Sequence, residues 1–222
     1  MRFVVTGTLE RVALPASIGR PFGAHAKFVV APGEVSSFTS TPLSNPSRRV
    51  LDTIDKFADK LLFEVDTHED AHVVGVDDLE FNDPELTVGA VRAAIERRLQ
   101  YRWRSLVARQ RARSRLVERC SFHLLVPMPE AYFFGEPDAL KRARADQSPS
   151  LFNAETTDVE HFEVEDPIYL GVPEMTPALA PNAEVRKRTW AKSVELRRRH
   201  PKLYLKFLSS PNDPFGDRWR SV

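Results

Sequence analysis

Three acidic residues close an apolar run in the stretch Ala71-His72-Val73-Val74-Gly75-Val76-Asp77-Asp78-Leu79-Glu80. Crowded carboxylates repel one another unless a cation or bound protons neutralise them. A short continuous apolar run reads as a buried parallel strand, and the carboxyl ends of such strands are where open α/β sheets place ligands. A further carboxylate, Glu10, follows the earlier run Phe3-Val4-Val5 and its tight turn Thr6-Gly7-Thr8. If those two strands are neighbours, Glu10, Asp77, Asp78 and Glu80 meet at one edge of a sheet. A hard divalent cation, Mg²⁺ or Mn²⁺, is held in this way, by a few protein oxygens with water and phosphate supplying the rest. Such a metal polarises a phosphate oxygen and lowers the pKa of an attacking water. Lys202 and Lys206 are the candidates to stabilise charge developing in the transition state.

Each of these residues also has a structural reading. Glu10 can stabilise a helix N-terminus by its charge. Asp77 and Asp78 can cap the turn that leaves a strand. Glu130, after Pro129, can begin a helix or pair with an arginine. Other chemistries find no support. His25, His68, His72, His123, His161 and His200 lack zinc-site spacing, and His123, inside an apolar run, reads as a core histidine. No glycine-rich phosphate loop and no Gly-x-Ser-x-Gly elbow occurs. Cys120 is the only cysteine, so no intrachain disulfide forms; its apolar neighbours predict a buried structural thiol, and the expected compartment is the cytoplasm.

The elements that must position these groups follow from periodicity and turn chemistry. Strands are predicted at Phe3 to Val5, Lys27 to Val30, His72 to Val76 and Ser121 to Val126. A helix is predicted from Leu9 to Arg20, with Thr8 as its cap and Pro15 inside it. Residues 31–47, rich in Pro, Ser and Thr, read as a long loop of the kind that forms lids or binding segments. Leu51, Ile54, Phe57, Ala58 and Leu61 mark an amphipathic helix over Val50 to Leu62. Asp83-Pro84-Glu85 is a helix start, with a cap, a proline at the first position and an acid in the first turn. Its apolar stripe, Val88, Val91, Ile95 and Leu99, extends through Trp103 and Leu106. Alternating strands and helices predict an α/β fold with a mostly parallel sheet and helices on both faces. The expected organisation is an α/β domain over residues 1–145 and a C-terminal extension over 146–222 that packs on it. Within that extension, residues 147–182 read as an irregular segment. A helix is predicted from Asn182 to about Arg199, and Lys202 to Leu208 reads as an edge strand or a further helical turn.

Net charge suggests no partner, because 32 basic residues face 31 acidic ones in 222. Distribution is more telling. Arg102, Arg104, Arg109, Arg111, Arg113, Arg115 and Arg119 crowd one stretch. Arg186, Lys187, Arg188, Lys192, Arg197, Arg198, Arg199, Lys202 and Lys206 crowd another. Both read either as phosphate contacts or as solvated helix faces. No run approaches the length of a membrane span, so no membrane partner is expected.

The order of these acidic residues resembles the TOPRIM domain, the metal-binding module of topoisomerases, primases and OLD-type nucleases. That family places a glutamate after its first strand and an acidic pair after a later one. Here the matching residues are Glu10 and the cluster in Val76-Asp77-Asp78-Leu79-Glu80. The usual Asp-x-Asp is replaced, so the pair is Asp78 and Glu80, or Asp77 takes part in a shifted register. Glu130-Ala131-Tyr132-Phe133-Phe134-Gly135-Glu136-Pro137 is similar to the Glu-Ala-Trp-then-acid block of uncharacterised bacterial TOPRIM-like proteins, some of them encoded beside ATPases linked to phage defence. The resemblance covers residues 1 to 140, with Tyr204 and Lys206. It implies a Mg²⁺-dependent nuclease or phosphodiester-processing effector in bacterial defence or DNA repair. Glu10, Asp77, Asp78 and Glu80 would hold metal; Glu10, Asp78, Glu130 and Lys206 would serve catalysis; nucleic acid, DNA ahead of RNA, would be the substrate. A homo-oligomer is compatible with this. The alternative is a non-catalytic subunit that keeps the fold and docks on an ATPase partner, motivated by residues 147–182 and by Trp190 and Trp219. A third reading is a phosphotransfer or nucleotide-hydrolysing enzyme on a similar sheet.

Overall fold

The structure is a computed structural model, and it describes residues 1–40, 42–80, 82–126, 128–172 and 194–211. The chain divides into two compact units, Met1–Val126 and Pro127–Val222, so the boundary lies well before the one expected after residue 145.

In the first unit, β1 (Arg2–Val5), β2 (Val29–Val30), β3 (Val73–Asp78) and β4 (Cys120–Leu125) form one parallel sheet of order β2-β1-β3-β4. The register sets Val5 opposite Val76 and Asp78 opposite Leu125. The strands carry apolar side chains on both faces: three helices cover one, and a single helix covers the β1 and β2 part of the other. On one face, α2 (Arg48–Thr67), α3 (Pro84–Arg102) and α4 (Leu106–Arg119) bury Val4, Val73, Ile54, Phe57, Leu61, Val91, Leu99 and Leu116 in a shared core. On the other, α1 (Thr8–Gly19) lays Leu14 and Ile18 against Phe3, Val5, Val74 and Val76. Gly75 sits where only glycine fits comfortably. A Cβ there would come within 3.0 Å of Phe57 Cζ and 3.1 Å of a Leu61 methyl, so the missing side chain lets α2 approach β3.

Local chemistry explains most element ends. Ser47 caps α2 by accepting from the Val50 N–H, and Asp83 caps α3 by accepting from the Leu86 N–H at 2.8 Å, ahead of Pro84. Four expectations change. Gly7, not Thr8, is the cap of α1, and Pro15 is accommodated inside it. The stripe read through Trp103 and Leu106 belongs to two helices, because the chain turns extended at Trp103 and restarts after Ser105. His123 is an exposed residue of β4, whose Nε2 lies 3.0 Å from Ser121 Oγ. Most consequentially, β3 runs two residues past Val76, so Asp77 and Asp78 belong to the strand and not to the turn after it. Continued pairing with Leu124 and Leu125 of β4 draws both acids into the sheet.

The second unit has its own core. Short helices α5 (Pro137–Arg142), α6 (Pro167–Leu170) and α7 (Val194–Arg198) surround α8 (Pro201–Ser209), which replaces the edge strand considered for Lys202 to Leu208. Phe134, Phe162 and Tyr169 pack around Tyr204, with ring centroids 4.9 to 5.5 Å apart within the Phe134–Phe162, Phe134–Tyr204 and Tyr169–Tyr204 pairs. The described part of the segment read as irregular is therefore structural: Phe152, Phe162 and Val164 belong to this core. Asp166 organises it. Its Oδ1 accepts from the Ile168 and Tyr169 N–H groups, and its Oδ2 accepts from the Tyr204 hydroxyl at 2.9 Å. The greater part of the helix expected from Asn182, with Arg186, Lys187, Arg188, Lys192 and Trp190, lies outside the described residues, as does Trp219.

Candidate functional site

β1 and β3 are neighbours, and the carboxyl ends of both carry acidic groups. The pairing of Val5 with Val76 brings Thr6 beside Asp77, and the Thr6 hydroxyl donates to Asp77 Oδ1 in a short hydrogen bond. The Asp78 N–H also donates to Asp77 Oδ1, at 3.0 Å. Asp77 is fully buried, with 0% exposure, and its Oδ2 has no hydrogen-bond partner among the described residues. Burial pushes the Asp77 carboxyl up to about 7, and the nearby Glu80 charge adds to the rise. Hydrogen bonds from Thr6, Ser37 and the Asp78 backbone oppose it.

Glu10 occupies the first turn of α1, a favourable place for negative charge. It is only 5% exposed, and its Oε2 likewise has no hydrogen-bond partner among the described residues. Its carboxylate folds back over Gly7: a Cβ on Gly7 would come 1.6 Å from Glu10 Oε2. The glycine is thus part of the site, because its bare backbone leaves the space that the carboxylate fills. Asp78, also buried, completes the inner group. Glu80 stands at the rim with φ of 43°, a left-handed conformation that is uncommon outside glycine, and accepts from Ser40 Oγ at 2.7 Å.

The sequence reading picked out the loop of residues 31–47 as a lid or binding segment but missed its anchor, Asn82. The loop of residues 31–47 is a fixed wall, with Val35, Phe38 and Leu43 in the core. Asn82 ties it down: its carboxamide oxygen accepts from the Leu43 N–H at 2.8 Å, and its amide donates to the Thr39 carbonyl. Arg11 holds the same loop through the Gly33 carbonyl at 3.0 Å. The loop thereby sets Ser37 against Asp77. Asn82 could have been suspected only from its place immediately before the Asp83 cap of α3; its partners lie about forty residues away.

The candidate residues therefore fall into two groups. Glu10, Asp77, Asp78 and Glu80 share one sheet edge of the first unit. Glu130 and Lys206 are buried in the second unit, where Lys202 Nζ lies 3.9 Å from Glu130 Oε1. Among the described residues no group of three His, Cys, Asp or Glu side chains is drawn together closely enough to hold a metal by itself.

The basic clusters are largely occupied. Arg97 and Arg98 of α3 pair with Asp55 and Asp59 of α2 at 2.6 and 2.7 Å. Arg113 pairs with Glu96, and Arg115 with Asp66. Arg119 caps the end of α2, donating to the Val65, His68 and Glu69 carbonyls. In the second unit, buried Arg197 donates to the Tyr169 and Leu170 carbonyls, while Arg198 and Arg199 pair with Glu163 and Glu195. Of the first arginine stretch, Arg102, Arg104 and Arg111 stay exposed without a carboxylate partner among the described residues. Burial pushes the Cys120 thiol up to about 11, which suits the structural role expected of it.

Among the described residues no helix is long and apolar enough to cross a membrane. The chain matches no family model, no curated protein and no solved structure.

Proposed function

We propose that the carboxyl edge of β1 and β3 is a Mg²⁺- or Mn²⁺-dependent phosphodiester-processing site. The observation that supports this best is the pair of buried oxygens without a hydrogen-bond partner among the described residues, Glu10 Oε2 in the first turn of α1, which follows β1, and Asp77 Oδ2 near the carboxyl end of the adjacent β3. Leaving a polar atom buried without a partner is costly, and a hard cation relieves that cost at carboxylates. The donor set is all oxygen, which suits Mg²⁺ or Mn²⁺. No cage of three side chains is preassembled among the described residues, which suits an ion that keeps several waters and takes phosphate oxygens from its substrate. Glu10, Asp77 and Asp78 would hold the ion, with Glu80 joining from the rim. When bound, the cation supplies polarisation of a phosphate oxygen and a lowered pKa for an attacking water.

The chain's own residues account for the rest. Thr6 and the Asp78 N–H both donate to Asp77 Oδ1 and fix the carboxylate in place. Arg102, Arg104 and Arg111, exposed in the arginine-rich stretch of the first unit, would contact a phosphate backbone. The substrate proposed is nucleic acid, DNA ahead of RNA, and the setting a cytoplasmic nuclease effector of bacterial defence or repair. Both rest on the TOPRIM resemblance of Glu10 and the Asp77–Glu80 cluster. Calorimetric titration of Mg²⁺ and Mn²⁺ into the wild type, Glu10→Ala and Asp77→Ala/Asp78→Ala, followed by a nuclease assay, tests the site. Full nuclease activity in the folded variants would refute it.

A second reading, a non-catalytic subunit docking on an ATPase, is favoured by the internal pairing of most described arginines and by the lack of a ready-made cage of three ligands. Absence of metal binding, together with partner-dependent function that survives loss of all four acids, would select it.

A further inference from the structure

The face of the sheet covered by α1 contains a cavity of about 310 Å³ that the proposed metal site does not use. Its walls are Leu14 and Ile18 of α1 and Val74, Val76 and Leu125 of the strands. α1 packs against β1 and β2, and the space opens on the β3–β4 side. A buried parallel sheet is ordinarily covered on both faces, so unfilled apolar volume here calls for an occupant. Its size lies at the lower end of ligand pockets, roughly 300–1,000 Å³, and such pockets combine apolar walls with a few convergent polar groups.

The polar groups here are Ser121 and His123 of β4. The register that pairs Val74 with Ser121 and Val76 with His123 sets them beside the apolar floor. Ser121 Oγ lies 3.0 Å from His123 Nε2 and 3.3 Å from His72 Nε2. One hydroxyl has a single proton to give, so at least one imidazole must donate to it. His123 is exposed and can turn its N–H to a ligand while His72 keeps the hydroxyl satisfied. No acidic side chain lines the cavity, so an anionic head would meet donors without like charge. We propose that this cavity binds a medium-chain aliphatic carboxylate, its tail among Leu14, Ile18, Val74 and Val76 and its head at His123 and Ser121. The site is independent of the acidic edge and of the reading given to it.

Octanoate titrated into the full chain, followed by calorimetry and by methyl NMR, tests this. The expected result is saturable one-to-one binding, with octanol bound at least tenfold more weakly. His123→Ala, at an exposed position, should lose at least fivefold in affinity for octanoate and little for octanol. Leu14→Trp, which fills the cavity, should abolish binding; Ile18→Phe serves if that variant fails to fold. No saturable binding, equal affinity for octanol, or affinity unchanged in both His123→Ala and the cavity-filling variant would overturn the assignment.

Discussion

Replacing Asp77 with asparagine should make the first unit more stable at neutral and alkaline pH and leave it little changed in acid below the ordinary carboxyl range. In the unfolded chain this carboxyl titrates at the ordinary 3.8, and in the fold at about 7. The folded state therefore holds the proton more tightly, and its stability falls as pH rises from about 4 to about 7, then levels off with respect to this group. The interval between 3.8 and about 7 sets a ceiling of about 4 kcal/mol on that loss, since each tenfold change in proton affinity is worth about 1.4 kcal/mol. Asparagine keeps a carbonyl oxygen for Thr6, Ser37 and the Asp78 N–H and carries no charge at any pH. The difference in unfolding free energy, variant minus wild type, should therefore grow from near zero at about pH 3, through about 1 kcal/mol at about pH 4.5, towards about 4 kcal/mol at about pH 8.5. Urea unfolding followed by Trp103 fluorescence, with Trp190 and Trp219 replaced by phenylalanine, reads the first unit alone. Millimolar Mg²⁺ should narrow the difference at pH 8.5, because an ion bound to the ionised carboxylate stabilises only the wild type. A difference that does not change with pH would refute the burial argument. A pH-dependent difference untouched by Mg²⁺ would leave that argument standing and remove Asp77 from the metal site.

Other perturbations follow from the same geometry. Gly7→Ala should displace the Glu10 carboxylate from its place 1.6 Å from the new Cβ, weakening Mn²⁺ binding tenfold or more by calorimetry while the circular dichroism spectrum stays native; unchanged affinity would show that Glu10 is not a ligand. Glu64 is fully buried against Arg2 at 2.6 Å, Lys60 at 3.3 Å and His68 at 3.4 Å, partners that are themselves partly exposed, so Glu64→Ala should cost about 1.5–3 kcal/mol of unfolding free energy, by urea unfolding, through the lost charge-assisted hydrogen bond to Arg2. Asn82→Ala should cost about 1–3 kcal/mol and speed amide exchange at Leu43, since its oxygen no longer accepts that N–H; protection equal to wild type would remove Asn82 from the role of loop anchor.

The sheet, its helices and the edge bearing Glu10 and the Asp77–Glu80 cluster were legible because they rest on local signals. Apolar runs mark strands, 3.6-residue stripes mark α2 and α3, and Asp83-Pro84 marks a helix start. Those signals fix which residues form elements, and the alternation of elements fixes a parallel sheet.

What a residue does within an element depends on partners far along the chain, and only the tertiary structure supplies them. Asp77 and Asp78 look like turn residues until β4, more than forty positions away, extends the strand and buries them. Arg113, Arg115 and Arg119 look like a phosphate-binding stretch until Glu96, Asp66 and the end of α2 take up their charge and donors. Residues 147–172 look irregular because their core is built with α8 and has no period of its own. Periodicity encodes which face of an element is apolar; the pairing of charges and the burial of acids are set by long-range contacts that no local spacing carries.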